Sequence, residues 1–231
     1  MRRSRPELTP PLVGVLDYLR EIGFEELYRP VSRSDGNDGS ATASPEAETA
    51  LQVVADEAAI CTGCRLHETR NKVVFGVGSP SADLMFIGEG PGAEEDRQGI
   101  PFVGRAGELL TKIIQAIELD RSEVYIANIV KCRPPGNRDP RPDEVSACRS
   151  YLERQIDLIA PRVIVALGRV AAQTLLGESS PLGRMRGHWY QVRGVETRVT
   201  YHPAALLRNT RFKRPTWEDM QVVRDRLREL A

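Results

Sequence analysis

The sequence predicts an α/β fold, a three-layer α/β/α sandwich with a central, largely parallel sheet of four strands. The first observation is that four short runs that predict strands, three of them largely apolar, alternate with segments whose apolar residues recur with helical period. Strands that alternate with helices form parallel sheets covered on both faces. The second observation is that three of these runs lead directly into Gly, Asn or His residues, which is typical of ligand loops at the carboxyl ends of parallel strands.

Each element has its own signal in the sequence. The apolar run Leu84–Ile87 predicts the first strand, and apolar residues that recur every three or four positions over 106–118 predict the helix after it. The other elements are predicted on the same grounds. The predicted strands cover 84–87, 124–130, 162–167 and 198–201, and the predicted helices cover 106–118, 142–159, 170–176 and 217–230.

The first fifty residues differ in composition from the rest of the chain. Residues 9–24 predict a short amphipathic helix, with Thr9 as its cap and two prolines in its first turn. We therefore expect a helical extension over 1–31. Residues 32–50 are rich in Ser, Ala, Gly and acids, which predicts a flexible acidic linker. The main domain is expected to cover 51–231.

The sequence carries no signal for export or for a membrane span. The N-terminus has arginines but no apolar segment, and no apolar run approaches the roughly 18 residues that a span requires. We therefore expect a cytoplasmic protein without a membrane partner. In that reducing compartment, cysteines bind metals more often than they form disulfides.

The charge is balanced overall but unevenly distributed. Lys plus Arg and Asp plus Glu each number 32, so the net charge is zero. Residues 34–64 contain six acids and no base, whereas 184–214 contain eight bases and one acid. A charged stretch is usually a solvated face, but this basic half also carries the loop-like segment HPAALLRN. The combination favours a surface that follows phosphates.

The cysteines fall into two pairs, Cys61-x2-Cys64 and Cys132-x15-Cys148. Their neighbours are basic or turn-forming, which is atypical of core cysteines. A structural zinc site is one interpretation, because Cys-x2-Cys is its commonest half-site. An iron–sulfur cluster is the other, because it accepts irregular spacing and the second pair spans several prolines. The residues alone leave both open.

The first predicted strand ends in the glycine-rich segment GEGPGAEED, residues 88–96. Its glycine spacing formally matches a dinucleotide-binding fingerprint, but the proline and the three consecutive acids within it disfavour a pyrophosphate. Glycines at a strand end instead allow a flat ligand to approach the backbone closely. The carboxylates of Glu89 and Glu95 are candidates for orienting a water molecule.

Two residues further along offer contacts to a planar ligand. Phe102 lies in a loop flanked by Gly and Pro, so it is either a core aromatic or a stacking platform. Asn128 lies in the next predicted strand, where its carboxamide either satisfies a turn or reads a base edge as donor and acceptor at once. Both are expected near the first strand end, because the carboxyl ends of parallel strands share one edge.

The segment 202–209 after the last predicted strand combines apolar and basic residues. His202 before a proline is either a bonded surface residue or a ligand contact. Two adjacent leucines flanked by arginines favour an exposed apolar wedge beside phosphate-binding groups, an arrangement that opens a base step. We expect DNA contacts from Leu206, Leu207, Arg208 and Arg211.

Taken in order, these motifs resemble the family 4 uracil-DNA glycosylases, the iron–sulfur type of bacteria and archaea. The resemblance covers about residues 61–230 and rests on CTGC, GEGPGAEED, PFVGRAGELL, NIVKCRPPGNR, Cys148, ALG and HPAALLR. Each motif is weak alone, but the ordered set is specific. The resemblance implies hydrolysis of the N-glycosidic bond of deoxyuridine in DNA, which releases uracil and leaves an abasic site, as in base excision repair.

The resemblance also implies roles for individual residues. A [4Fe–4S] cluster would be held by Cys61, Cys64, Cys132 and Cys148. The uracil pocket would contain Gly88, Glu89, Gly90, Phe102, Asn128 and His202. His202 would bond uracil O2, and Glu89 and Glu95 are the candidates for holding the attacking water. Family members with the strongest activity place an acid where this chain has Gly90, so no general base is obvious.

Two other functions share part of this pattern. A related branch traps the abasic sugar covalently through a histidine, but residues 211–215 of this chain contain none. A non-enzymatic iron–sulfur protein that binds damaged DNA would need the cysteines and the basic loop, but not Phe102 and Asn128 together. We expect a monomer that binds uracil-containing DNA, single- or double-stranded, at the nucleoid of a bacterium or archaeon. The N-terminal extension is a candidate docking segment for a replication or repair partner.

Overall fold

A computed structural model describes residues 45–231, which form a six-stranded mixed sheet flanked by helices. The strand order is β1-β3-β2-β4-β6-β5, and the inner four strands run parallel to one another. The strands are β1 (Val77–Gly78), β2 (Leu84–Gly88), β3 (Tyr125–Asn128), β4 (Val163–Leu167), β5 (Trp189–Val192) and β6 (Val195–Thr200).

The helices connect these strands and cover the sheet. They are α1 (Pro45–Ala59), α2 (Ala93–Gln98), α3 (Arg105–Ala116), α4 (Pro142–Ile159), α5 (Arg169–Leu176), α6 (Leu182–Met185), α7 (Pro203–Arg208) and α8 (Lys213–Leu230). Short 3-10 turns cover Arg65–Glu68, Pro135–Asn137 and Thr210–Phe212. Within the described residues, no helix combines the length and the apolar character needed to cross a membrane.

The central strands β2 and β4 are buried along their whole length, as expected for a parallel sheet that is covered on both faces. On one face, Met85 and Ile164 pack in a single apolar cluster with Leu152 of α4. Helix α8 packs against β6, where the Thr200 hydroxyl donates to Asp219 Oδ2 at 2.7 Å. Both layers therefore fix the inner strands in place.

The predicted α/β class is confirmed, and the four predicted strands correspond to the inner, parallel ones. The sheet has six strands rather than four, because a short antiparallel strand is added at each edge. Strand β1 has two residues, too few for a periodic signal. Strand β5 joins β6 through Arg193 and Gly194, whose φ values of 51° and 80° are typical of a two-residue hairpin turn.

Among the described helices, α1, α2, α6 and α7 are absent from the sequence-based prediction. Helix α1 begins at Pro45, so the end of the predicted linker 32–50 is helical. The first turn of α2 holds three acids, which stabilise a helix N-terminus. The predicted helix 9–24, the extension 1–31 and the rest of the linker lie outside the described residues.

The order of the inner strands creates a crevice at their carboxyl edge. The chain passes from β2 to β3 on one side and later to β4 on the other, so β2 is a topological switch point. Gly88 pairs in register with Asn128, and Leu167 pairs with Thr200. The strand ends at 88–90, 128 and 201–202 therefore meet at one edge of the sheet, as the sequence predicts.

Candidate active site

A cavity of about 640 Å³ opens at this edge of the sheet. It brings together most of the residues singled out from the sequence. From that set, the cavity is lined by Glu89, Gly90, Glu95, Phe102, Asn128, His202 and Arg208. The remaining members, Gly88, Leu206, Leu207 and Arg211, lie outside its lining.

Asn128 lies at the end of β3 with only 2% of its surface exposed. Its amide oxygen Oδ1 has no hydrogen-bond partner within the part of the chain that the structure describes. A buried polar atom without a partner costs about 1–3 kcal/mol, so the site is built at some expense in stability. The cost is removed when a ligand donates a hydrogen bond to Oδ1.

Gly88 gives this amide its space. A Cβ at residue 88 would lie 2.4 Å from Asn128 Oδ1 and 2.7 Å from Cζ of Phe102. Those distances are shorter than any van der Waals contact, so a side chain here would displace both groups. The absence of a side chain at Gly88 therefore allows the amide and the aromatic ring to meet over one patch of backbone.

Phe102 is buried, and its ring faces His202. The two ring centroids are 5.4 Å apart, with the planes tilted by 30°. The loop after Phe102 is held by Glu95, whose Oε1 accepts from the backbone N–H groups of Val103 (3.0 Å) and Gly104 (3.1 Å). One oxygen of Glu95 therefore binds the backbone of this loop and holds it in position. The sequence did not indicate this role.

His202 caps helix α7. Its Nδ1 accepts from the backbone N–H of Ala204 at 3.1 Å, so the neutral imidazole carries its proton on Nε2. Burial, reinforced by the positive charge of Arg208, lowers the pKa of His202 to about 4. At neutral pH the side chain is therefore an uncharged hydrogen-bond donor. Gly168 packs against it, and a Cβ there would lie 2.9 Å from Cβ of His202.

Glu89 is the half-buried carboxyl of the cavity. Burial raises its pKa to about 7, and the negative charge of Asp139 adds to the effect while Arg169 opposes it. A carboxyl that titrates near neutral pH can hold or release a proton under working conditions.

Only one of the two leucines predicted to form an exposed wedge is exposed. Leu206 is 1% exposed and belongs to the interior, whereas Leu207 is 43% exposed. The segment is the helix α7, in which consecutive side chains point about 100° apart, and here this rotation directs Leu206 inward and Leu207 to solvent. Leu207, Arg208 and Arg211 remain on the surface beside the cavity.

The four cysteines surround a second, smaller cavity. Cys61 and Cys64 follow α1, Cys132 lies beyond the end of β3, and Cys148 belongs to α4; all four are free. Burial raises the pKa of Cys148 to about 11, although the neighbouring Lys131 opposes the rise. The fold therefore gathers residues from three segments around one sulfur-lined space.

Hydrogen-bond donors point at three of these sulfurs. The Arg70 guanidinium donates to Cys132 Sγ at 3.3 Å. The backbone N–H of Gly63 donates to Cys61 Sγ at 3.4 Å, and that of Lys131 donates to Cys148 Sγ at 3.2 Å. Donors of this kind stabilise coordinated thiolates.

The donor set fits an iron–sulfur cluster. Four cysteine sulfurs line one cavity, and a [4Fe–4S] core takes one thiolate at each iron. A zinc ion also accepts four thiolates, so the sulfurs by themselves suit either group.

Comparison with known proteins agrees with this geometry. The profile of the uracil DNA glycosylase superfamily matches residues 75–221, which include every lining residue of the larger cavity. The chain belongs to the uracil DNA glycosylase superfamily.

Individual members of the superfamily are similar over most of their length. A type-4 uracil-DNA glycosylase of Sulfurisphaera tokodaii is 44% identical over 184 residues, which is 76% of this chain and 84% of that protein. The type-4 enzyme of Archaeoglobus fulgidus is 42% identical over 181 residues, covering 75% of this chain and 91% of that protein. The type-4 enzyme of Thermotoga maritima is 43% identical over 180 residues, covering 75% and 93%. The resemblance to type-4 glycosylases is thereby confirmed.

The superfamily fold also brings residues to the site that the sequence analysis misses. Asp139 and Arg169 form an ion pair at the cavity, and Asp139 contributes to the raised pKa of Glu89. Arg169 lies two residues after the end of β4, so the strand-end rule that finds His202 would have found it as well. Arg121 contacts the Phe102 loop from the connection before β3, and no sequence signal indicates it.

Proposed function

We propose that this protein hydrolyses the N-glycosidic bond of deoxyuridine in DNA, releasing uracil and leaving an abasic site. The observation that carries the proposal is the unpaired, buried Oδ1 of Asn128, which faces Gly88 and Phe102 in the cavity. The test uses an oligonucleotide with one deoxyuridine, which is incubated with the protein and then treated with hot alkali. We expect strand breakage at the uracil and none in a thymidine-containing control. Intact uracil strands would contradict the proposal.

Base selection follows from the Asn128 carboxamide. Its oxygen accepts from uracil N3–H, and its amino group donates to uracil O4. Cytosine reverses both groups, so its binding would leave buried polar atoms unpaired, which is costly. Phe102 stacks on the flat ring. Gly88 leaves room for both of these side chains beside the end of β2.

Bond cleavage needs a group that stabilises the departing base. As the bond between C1′ and N1 breaks, its electron pair stays with uracil, which leaves as an anion. The Nε2–H of His202 donates to uracil O2, where part of that charge develops. A water molecule then bonds to C1′ and loses a proton to Glu89. Glu95 holds the loop that carries Phe102, and its free oxygen is available to orient the water.

The pH dependence of the reaction tests the role of Glu89. Its pKa of about 7 means that the carboxylate is lost as pH falls through 7. We expect the single-turnover rate to rise with pH through about 7 and then level off. His202, with a pKa of about 4, stays neutral over this range and adds no inflection. Glu89→Gln should lower the plateau at least about tenfold and flatten the profile.

Glu94→Gln provides a matched control for this profile. Glu94 is on α2 and pairs with Arg97 in solvent, and its pKa is lowered to about 2 by that contact. The control should therefore keep both the rate and the inflection. If Glu89→Gln kept the wild-type inflection, Glu89 would not be the titrating group.

DNA binding is assigned to the exposed residues of α7 and the turn after it. Arg208 and Arg211 are placed to contact phosphates, and Leu207 to fill the gap left by an extruded nucleotide. Leu206 is excluded from this role by its burial.

Replacing Leu207 by Ala tests the wedge. We expect excision from duplex DNA to fall about fivefold, roughly 1 kcal/mol, with excision from single strands unchanged, because only the duplex must be unstacked. Val222→Ala, an exposed residue of α8, is the control and should affect neither substrate. Equal losses on both substrates would show that Leu207 does not act as a wedge.

The cysteine cavity is assigned to a [4Fe–4S] cluster held by Cys61, Cys64, Cys132 and Cys148. The support is the presence of the four cysteines around one cavity, the hydrogen-bond donors aimed at three of their sulfurs, and the similarity to type-4 glycosylases. When bound, the cluster would cross-link the end of α1, the segment after β3 and helix α4. Because hydrolysis of a glycosidic bond transfers no electrons, we assign the cluster a structural role. Iron and acid-labile sulfide, measured in anaerobically purified protein, test the assignment; four of each are expected, and zinc in their place would overturn it.

A further inference from the structure

Phe102 has a backbone conformation that aromatic residues rarely adopt. Its φ is +53°, in the left-handed region. This conformation costs a residue with a side chain about 1–2 kcal/mol relative to the right-handed one. It persists only where neighbouring groups hold it. The ring at the candidate base-stacking position is therefore set by contacts to the backbone of its own loop.

Arg121 makes the contacts on one side of the loop. Its Nη2 donates to the carbonyl oxygens of Pro101 (2.7 Å) and Phe102 (3.1 Å). Its Nη1 donates to the hydroxyl of Thr111 at 3.2 Å, and this hydroxyl donates to the carbonyl of Gly107. The half-buried guanidinium thus connects the carbonyls of Pro101 and Phe102 to the first two turns of α3.

Gly107 allows the loop to come this close. A Cβ at residue 107 would lie 1.8 Å from the carbonyl oxygen of Phe102, so only glycine fits. On the other side of the turn, the carboxylate of Glu95 accepts from Val103 and Gly104. The Arg121 guanidinium therefore binds the carbonyls of Pro101 and Phe102, and the Glu95 carboxylate binds the two backbone N–H groups that follow. The backbone at Phe102 is thus held by a charged group on each side.

We propose that Arg121 is a positioning residue that fixes the ring of Phe102 for stacking on the substrate base. Arg121 lies outside the lining of the larger cavity, so it acts through Phe102 rather than on the substrate. The expected effect of Arg121 on the reaction rate rests on the proposed uracil excision. Its effect on the conformation of the Phe102 loop can be measured independently.

The test is a double-mutant cycle on single-turnover excision of uracil. Arg121→Met is expected to lower the rate about tenfold in the wild-type background and less than about twofold in the Phe102→Ala background, because no ring is left to position. Arg121→Lys should recover part of the loss, since an ammonium can bond one of the two carbonyls. Equal losses in both backgrounds would overturn the proposal.

Hydrogen exchange supplies a readout that needs no activity. In Arg121→Met, the backbone amides of Val103 and Gly104 should exchange at least tenfold faster, with β2 and β4 unchanged. Arg162→Met is the matched control, because Arg162 also bonds a backbone carbonyl, that of Leu230, beside the amino end of β4. Unchanged exchange in the loop would overturn the proposal even if excision occurs. If the wild-type protein excised no uracil, the proposed function would be wrong. The exchange rates would still show whether Arg121 holds the loop in place.

Discussion

Asn128→Asp is expected to reduce uracil excision at least about a hundredfold, about 2.7 kcal/mol of transition-state stabilisation. The substitution replaces the amide donor by an oxygen, so O4 of uracil would face an acceptor instead of an N–H. The residue is 2% exposed, and water cannot compensate for the lost bond. A protonated Asp presents a donor and an acceptor that can be exchanged, so trace excision of cytosine is also expected. Single-turnover rates on oligonucleotides with one uracil or one cytosine measure both effects.

Asn137→Asp is the matched control for this change. Asn137 lines the same cavity, but its Oδ1 already accepts from Arg133 Nε at 2.7 Å, a bond that a carboxylate retains. We expect its rate to stay within about threefold of wild type. A near-wild-type rate for Asn128→Asp would mean that the residue does not read the base, and the pocket would have to be placed elsewhere.

His202→Ala is expected to lower the single-turnover rate by about 10²–10³ with little change in DNA affinity. The bond from Nε2–H strengthens only as the uracil anion forms, and a donor used in the transition state affects turnover rather than binding. Comparison of the maximal single-turnover rate with the equilibrium dissociation constant for uracil-containing DNA separates the two quantities. A change confined to affinity would assign His202 to DNA binding instead.

His202→Asn separates the chemical role from the helix cap. The imidazole Nδ1 caps α7, and asparagine is among the best capping residues, so this variant keeps the start of the helix. It lacks the longer reach of the imidazole Nε2, and we expect the same loss of rate as in His202→Ala. Recovery of activity in His202→Asn would show that the cap, and not the donor, accounts for the loss.

The strand ends could be read from the sequence because parallel strands share one carboxyl edge. This rule places Glu89, Asn128 and His202 together without any knowledge of their distances, and the cavity contains all three. The central strands β2 and β4 were predictable for a related reason: each is almost wholly apolar, as expected of a strand that is buried on both faces. The edge strands are short or half-exposed, so their residues carry no such pattern.

Other features depend on tertiary contacts that leave no local trace. The burial of Leu206 is decided by which face of α7 meets the rest of the protein, and adjacency in sequence cannot show this. The hold of Arg121 on the Phe102 loop joins residues about twenty positions apart through backbone carbonyls, which every residue possesses. The task of Glu95 is hidden for the same reason, because its partners are backbone N–H groups.

Formation of the pocket also depends on the pairing of strands that are far apart in the sequence. Gly88, Asn128 and His202 are distant in sequence and become neighbours only when β2, β3, β4 and β6 have paired in native register. Such non-local pairing carries a large loop-closure cost and forms slowly. A shorter piece of the chain that ends before β6 lacks His202, so the lining of the pocket is complete only when the chain beyond β6 is present. Conversely, a ligand held by all of these strands at once stabilises the complete sheet against unfolding, rather than one loop of it.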